Sequence, residues 1–168
     1  MPRARKWLRP AIELLLLLGV LYGVRAYQHA GIAEGAAPPL EGTLLDGRHI
    51  SLAGLYRHPV LVHFWADWCA VCAAEQQNIA SVAKDYTVIT VAMRSGNAAD
   101  VRRYLRAKGL TLPVLNDPSG GRAARWGVQA VPASFIVEGG RIHFAEVGYT
   151  TELGLRARLW LARHWSGD

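Results

Sequence analysis

The two cysteines of the 168-residue chain, Cys69 and Cys72, lie three positions apart between segments with opposite structural preferences. Residues 60–65 are apolar and suit a β-strand, whereas residues 73–80 favour a helix. The pair is therefore predicted to lie where a strand passes into the first turn of a helix. Free N–H groups and the helix dipole stabilise a thiolate there. This predicts a thiol–disulfide exchange site, with Cys69 as the exposed nucleophile and Cys72 as the resolving thiol.

Other uses of a cysteine pair fit the sequence less well. A structural disulfide that closes so short a loop adds little stability. A structural zinc site needs about four ligands, and none of the six histidines forms a second closely spaced ligand pair. Two thiolates suit Cu(I), a soft ion. Copper binding therefore stays open as a second role, although the chain has only two methionines and no tract rich in histidine and methionine.

The net charge of +6 does not indicate nucleic-acid binding. The basic excess is concentrated in residues 1–25, and residues 26–168 are nearer to balance. No basic stripe with interleaved aromatic residues is found in the sequence. No nucleic-acid partner is predicted.

Residues 1–25 are predicted to be a membrane segment. Basic residues precede an apolar run over residues 11–24, and the predicted transmembrane helix crosses a bacterial inner membrane once, through residues 7–24. The basic excess before the run places the rest of the chain in the periplasm, where dithiol exchange on other proteins is needed. The run is shorter than the ~20 residues of a full span and contains Glu13. A cleaved signal peptide is the alternative.

The remainder predicts a linker over residues 26–39 and one α/β domain over residues 40–168. A hairpin comes first, followed by a parallel β-α-β unit. A further helix, a short strand, a short helix, a second hairpin and a last helix complete the domain. In chain order the elements cover residues 40–55, 60–65, 73–83, 87–92, 97–108, 112–115, 120–126, 133–145 and 151–164.

Two stretches, Phe64–Cys72 and Gly127–Pro132, resemble the thioredoxin superfamily. The first hairpin, the helix near residues 97–109 and the wide gap between the cysteines and the proline are similar to the membrane-anchored branch that contains the TlpA and ResA proteins. The resemblance covers about residues 38–165. Within the branch, ScsD-type proteins of the suppressor-of-copper-sensitivity group are the most similar, on residues 116–118, 125–128 and 155–161.

The resemblance implies a thioredoxin-like fold, with a central mixed sheet flanked by helices, an N-terminal β-hairpin and a central helical insertion. It implies a cis peptide at Val131–Pro132, in a loop that faces the cysteines and receives the backbone of a substrate. Glu75 matches an acid one turn after the second cysteine, where a carboxyl exchanges a proton with Cys72. Electrons would come from a membrane thiol transporter or another redox protein.

Two residues depart from the family pattern. Val71 stands where many thioredoxins have proline, and residues between the cysteines tune the reduction potential. His63 stands where cytosolic thioredoxins keep a buried acid. It is either a proton acceptor or a hydrogen-bonded core residue, and the second interpretation is favoured. Trp65 is predicted to lie in the core, and Trp68 to lie exposed beside the site as part of the substrate-binding surface.

The sequence thus predicts a membrane-anchored periplasmic thiol:disulfide oxidoreductase, more a reductant than an oxidant, that acts on proteins. A monomer is predicted, with no cofactor beyond the redox-active disulfide Cys69–Cys72 and no resident metal. The rival functions are a Cu(I)-binding protein of copper tolerance, a peroxiredoxin-like peroxidase and a redox-inert interaction module. Residues 65–68 lack the threonine that such a peroxidase carries before its reactive cysteine.

Overall fold

The computed structural model describes residues 13–20, 22–24 and 31–165. Within residues 31–165 the chain forms an α/β domain, and its first hairpin is followed by a 3₁₀ turn at Leu52–Leu55. The strands are β1 Gly35–Ala36, β2 Glu41–Thr43, β3 His49–Ser51, β4 Val60–Trp65, β5 Thr87–Met93, β6 Val114–Asp117, β7 Ala133–Glu138 and β8 Arg141–Val147. The helices are α1 Ala70–Val82, α2 Ala98–Ala107, α3 Gly121–Arg125 and α4 Glu152–Trp165.

Six strands form one mixed sheet in the order β1-β8-β7-β4-β5-β6. Strands β4, β5 and β6 run parallel, whereas β7 is antiparallel to both β4 and β8. Every residue of β4 is buried, as expected of a central strand covered on both faces. Strands β2 and β3 pair separately. The predicted thioredoxin-like α/β fold with its mixed sheet and N-terminal hairpin is confirmed.

The alternating side chains of β4 divide the core between the two faces of the sheet. Val62 and Phe64 pack on one face, where the rings of Phe64, Trp126 and Phe135 contact one another. On the other face Leu61 packs against α1 and α4, and Trp65 packs beside the cysteines and α2. Helix α1, which begins with the cysteine pair, is therefore fixed against the centre of the sheet.

Helix α2 begins and ends where local sequence signals predict. The Asn97 side chain accepts hydrogen bonds from the N–H groups of Ala99 and Asp100, and the Asp100 carboxylate accepts the Asn97 N–H. This reciprocal capping box satisfies donors that an uncapped helix would leave free. After the helix, Gly109 takes a φ of +63°, a backbone conformation that glycine adopts easily.

Strand β1 lies within the segment predicted to be a linker. Gly35 and Ala36 pair with Ile142 and Arg141 of β8 and add an edge strand to the main sheet. Residues 26–30 of that segment lie outside the described residues. The predicted domain boundaries stay predictions.

The predicted transmembrane helix is wrong. Residues 13–20 and 22–24 are helical, but no helix in the described part of the chain is long and apolar enough to cross a bilayer. The apolar run falls short of the ~20 residues that a span requires, and Glu13 lies inside it. Residues 1–12, 21 and 25 of the predicted segment lie outside the described residues. The single-pass location in an inner membrane with a periplasmic domain, inferred from that helix, is contradicted with it.

Candidate active site

The two cysteines lie at the junction of β4 and α1 and form a disulfide bond with a Cα–Cα distance of 5.2 Å. Cys69 is the N-cap of α1, and its sulfur accepts a hydrogen bond from the Cys72 N–H at 3.1 Å. Cys69 is 8% exposed, whereas Cys72 is fully buried. The sulfur that receives the amide of the first helical turn thus belongs to the more accessible cysteine.

The loop before β7 lies directly against the disulfide. Its Val131–Pro132 peptide bond is cis, as the resemblance implies. The Val131 carbonyl oxygen is 3.5 Å from the sulfur of Cys69. Ala133, the first residue of β7, pairs with Phe64 near the end of β4, and this register brings the two loops together. Val131 is half-buried, while Pro132 is buried.

Exposed side chains lie on three segments around the cysteine turn: the loop before Cys69, the start of α1, and the β8–α4 connection, whose Gly148 N–H binds the Pro132 carbonyl. Trp68, on the loop before Cys69, is 62% exposed, and its indole N–H donates to the Arg94 carbonyl at 3.2 Å. Val71 is exposed in the first turn of α1, and Tyr149, between β8 and α4, is 53% exposed. We call Trp68, Val71 and Tyr149 the rim. Trp65, in contrast, is fully buried, as predicted.

Glu75 is a fully buried carboxyl one turn after Cys72, on the same inward face of α1. Its Oε1 accepts the Thr150 backbone N–H at 3.1 Å, and its Oε2 has no partner in the described part of the chain. Burial raises the pKa of Glu75 from 4.5 to about 7, and the Thr150 N–H opposes this shift. A group with this pKa both accepts and donates a proton at neutral pH.

His63 is a buried residue of β4. Its Nδ1 shares a hydrogen bond of 2.9 Å with the Ser134 hydroxyl on the neighbouring strand β7. Burial lowers the pKa of His63 to about 3, so the ring is neutral at physiological pH. The side chain is therefore a neutral, hydrogen-bonded part of the core, which is the interpretation that the sequence favoured.

Known proteins that resemble this chain agree with the thiol–disulfide site that the geometry shows. The family model described as the AhpC/TSA family matches residues 33–144. The chain belongs to the AhpC/TSA family. A thioredoxin-like protein of Haemophilus influenzae is 31% identical over 162 residues, which cover 95% of this chain and 97% of that protein. The thiol:disulfide interchange protein DsbE of Xylella fastidiosa is 34% identical over 104 residues, or 61% of this chain and 51% of DsbE.

Among solved structures, the exposed lipoprotein thioredoxin Etrx1 of Streptococcus pneumoniae superposes with a TM-score of 0.65. It is 27% identical, and the match covers 73% of this chain and 98% of Etrx1. Together with the cysteine pair, these similarities establish a thiol–disulfide oxidoreductase of the thioredoxin type. The predicted superfamily and enzyme class are confirmed.

In this AhpC/TSA-family chain, three residues near the site were not predicted from the sequence. Ser95 accepts the Asp67 N–H at 3.1 Å, beside the cysteine turn. Thr150 binds Glu75, and Tyr149 belongs to the rim. Thr150 is 75 residues from its partner in sequence, and no spacing or motif predicts such a contact. Gly148, between a strand and a helix, is the one local sign of a turn there.

Metal ligands are sparse around this family member's cysteine pair. The described residues contain no group of three or more His, Cys, Asp or Glu side chains that could hold a metal ion. The copper-binding alternative gains no support from neighbouring side chains.

Proposed function

We propose that this enzyme reduces disulfides in partner proteins through Cys69. The observation that carries the proposal is the unequal burial of the pair, since Cys69 keeps 8% of its surface exposed at a helix N-terminus and Cys72 is fully buried. The N–H groups and the dipole of α1 stabilise the thiolate most strongly at the N-cap, where the Cys69 sulfur lies. Cys69 is therefore the attacking thiolate and Cys72 the resolving thiol.

In the reduced enzyme the Cys69 thiolate attacks one sulfur of the partner's disulfide. A mixed disulfide forms, and one partner thiolate leaves. Cys72 then transfers its proton to the Glu75 carboxylate and attacks the sulfur of Cys69. The second partner thiolate leaves, so the partner gains two electrons and the enzyme becomes the Cys69–Cys72 disulfide. No cofactor beyond the two sulfurs takes part.

The partner's backbone would lie along the Val131–Pro132 loop. The Val131 carbonyl is already 3.5 Å from the reactive sulfur, so a chain beside this loop reaches Cys69 directly. Pro132 has no N–H to turn inward. Trp68 and the rest of the rim offer apolar surface to the residues around the partner's cysteine.

The similarity to thioredoxin-like and thiol:disulfide interchange proteins supports exchange with protein disulfides, and reduction is the direction proposed here. Another thiol-redox protein would return the enzyme to its dithiol form, and the membrane thiol transporter predicted for this step stays a prediction, as does the monomeric state. The equilibrium potential of the pair against glutathione tests the direction. A value of about −270 mV supports the reductant, whereas a value of about −120 mV indicates an oxidant.

A trapping experiment tests the proposal directly. Cys72→Ser is expected to accumulate covalent complexes with partner proteins in a cell extract, because the mixed disulfide at Cys69 loses its resolving thiol. Dithiothreitol should release the partners. Cys69→Ser is the matched control and should trap little. Equal trapping by both variants, or none by Cys72→Ser, would contradict the assignment.

Glu75→Gln is expected to slow the resolving step about 10- to 100-fold near pH 7, because glutamine takes no proton. The measurement is a single-turnover reaction of the reduced enzyme with a chromogenic aromatic disulfide. One thiolate is released by the attack of Cys69 and a second by the attack of Cys72. The second phase should accelerate as pH rises through the Glu75 pKa of about 7, and this inflection should vanish in the variant. An unchanged second phase would exclude Glu75 as the proton acceptor.

A further inference from the structure

We propose that Asn78 is a positioning residue that fastens the loop Gly148–Thr150, here the latch loop, to α1 and thereby holds the Thr150 amide on Glu75. The effect of this latch on turnover rests on the proposed function. The latch itself rests on hydrogen bonds between α1 and the β8–α4 connection. Asn78 is therefore assigned an indirect role, through the carboxyl that it keeps in place.

Two neighbouring turns of α1 bind the same short stretch of backbone. The Asn78 Nδ2 donates to the Tyr149 hydroxyl at 3.1 Å and to the Thr150 carbonyl at 3.3 Å. One turn earlier, the Glu75 Oε1 accepts the Thr150 N–H at 3.1 Å. The N–H and C=O of Thr150 are thus both engaged by α1. Loss of the Asn78 contacts would leave the bond to Glu75 as the one remaining tie between Thr150 and these two side chains.

The other end of the latch loop is hydrogen-bonded to the Val131–Pro132 loop beside Cys69. The Gly148 N–H donates to the Pro132 carbonyl at 2.8 Å, and Gly148 has a φ of +99° that favours glycine. A single three-residue segment therefore joins the loop beside Cys69 to the buried acid beneath Cys72. Tyr149 presents its half-exposed ring between these two attachments.

The pKa of the buried Glu75 carboxyl depends strongly on the hydrogen bond that the Thr150 N–H donates to it. Burial raises the pKa of this carboxyl, and the hydrogen bond from Thr150 is the effect that lowers it. Titratable groups on the elements packed against α1 include the neutral His63 of β4, the Tyr149 hydroxyl and the Tyr104 hydroxyl of α2, which donates to the Gln76 side chain at 3.1 Å. They also include Glu152 and Arg156 of α4, which pair with each other at 2.8 Å. A weaker Thr150 bond would therefore destabilise the carboxylate while burial still opposes its charge.

Asn78→Ala is expected to raise the pKa of Glu75 by at least about half a unit, since each unit is a tenfold change in proton affinity. The measurement is a ¹³C NMR titration of the Glu75 carboxyl in the oxidised full-length protein. Tyr149→Phe removes one of the two Asn78 bonds and should give a smaller upward shift. Gln77→Ala, an exposed neighbour on the same helix, is the matched control and should leave the pKa unchanged.

The pH profile of the two thiolate-release phases provides the second readout. In Asn78→Ala the inflection of the resolving phase should move upward together with the Glu75 pKa, while the Cys69 phase keeps its profile. A lowered or unchanged Glu75 pKa would overturn the latch. If Asn78→Ala does not fold, Tyr149→Phe carries the same test. If Asn78→Ala raises the pKa but Glu75→Gln leaves the resolving phase intact, the latch stands and the proposed proton transfer fails.

Discussion

Replacing Cys69 with alanine is expected to lower disulfide reduction by at least about a thousandfold, measured with insulin as a model protein disulfide and dithiothreitol as the electron source after subtraction of the uncatalysed rate. The reason is that removal of a nucleophile eliminates the first covalent step, and effects of this kind reach many orders of magnitude. Cys72 cannot substitute for Cys69, because it is fully buried in the first turn of α1. Cys72→Ala is the matched variant.

The same two variants show how accessible each thiol is, independently of its part in disulfide reduction. With iodoacetamide at neutral pH, Cys72→Ala should be alkylated rapidly at Cys69, because a helix N-terminus stabilises the thiolate and Cys69 is the more accessible of the two cysteines. Cys69→Ala should react at least about tenfold more slowly at Cys72, because this thiol is fully buried. Equal alkylation rates would contradict the division into nucleophile and resolving thiol, even if both variants lost reductase activity.

The cysteine site could be predicted because its signals are local. A continuous apolar run marks β4, a helix-favouring segment marks α1, and the two cysteines fall between them. Asn97 similarly marks the start of α2 through a capping box that needs only four consecutive residues. In each case the residues that specify the feature also form it, so no tertiary contact is required to recognise it.

The environment of Glu75 could not be predicted in the same way. Its pKa is raised by complete burial on the inward face of α1 and lowered in part by one backbone N–H that is 75 residues away in sequence. His63 depends in turn on Ser134, which the pairing of β4 with β7 brings within 2.9 Å. The thioredoxin resemblance indicated which of these positions matter. It carried no information on the protonation states that this particular chain gives them.

The predicted membrane span shows where local signals mislead. Basic residues before an apolar run are typical of a membrane segment, yet length and uninterrupted hydrophobicity decide whether a helix can cross the bilayer. The helical residues 13–20 and 22–24 do not meet that requirement. The short strand β1 was missed for the opposite reason, since two residues in a glycine-containing stretch carry too little pattern to indicate their pairing with β8.

Gly127→Ala is expected to lower the free energy of unfolding by about 3 kcal/mol or more. Gly127 has a φ of +65°, and a methyl group at its Cα would lie 1.7 Å from the carbonyl oxygen of Gly31 and 2.7 Å from its carbonyl carbon. Both are backbone atoms and cannot rotate away. The Ala33 N–H also donates to the Trp126 carbonyl at 3.0 Å, which fixes the two segments against each other.

Gly109→Ala is the control that separates the cost of the steric clash from the cost of the left-handed backbone conformation. Gly109 has nearly the same φ, +63°, but a methyl group there would meet no atom within 4 Å. It should therefore cost only the left-handed conformation, about 1–2 kcal/mol. Urea unfolding of the two oxidised variants measures the difference. Since Trp126 packs on Phe64 and Phe135 in the core, a chain displaced at Gly127 cannot relax toward the sheet without disturbing those rings. Equal destabilisation of both variants would show that residues 31–33 yield to the methyl group instead of resisting it.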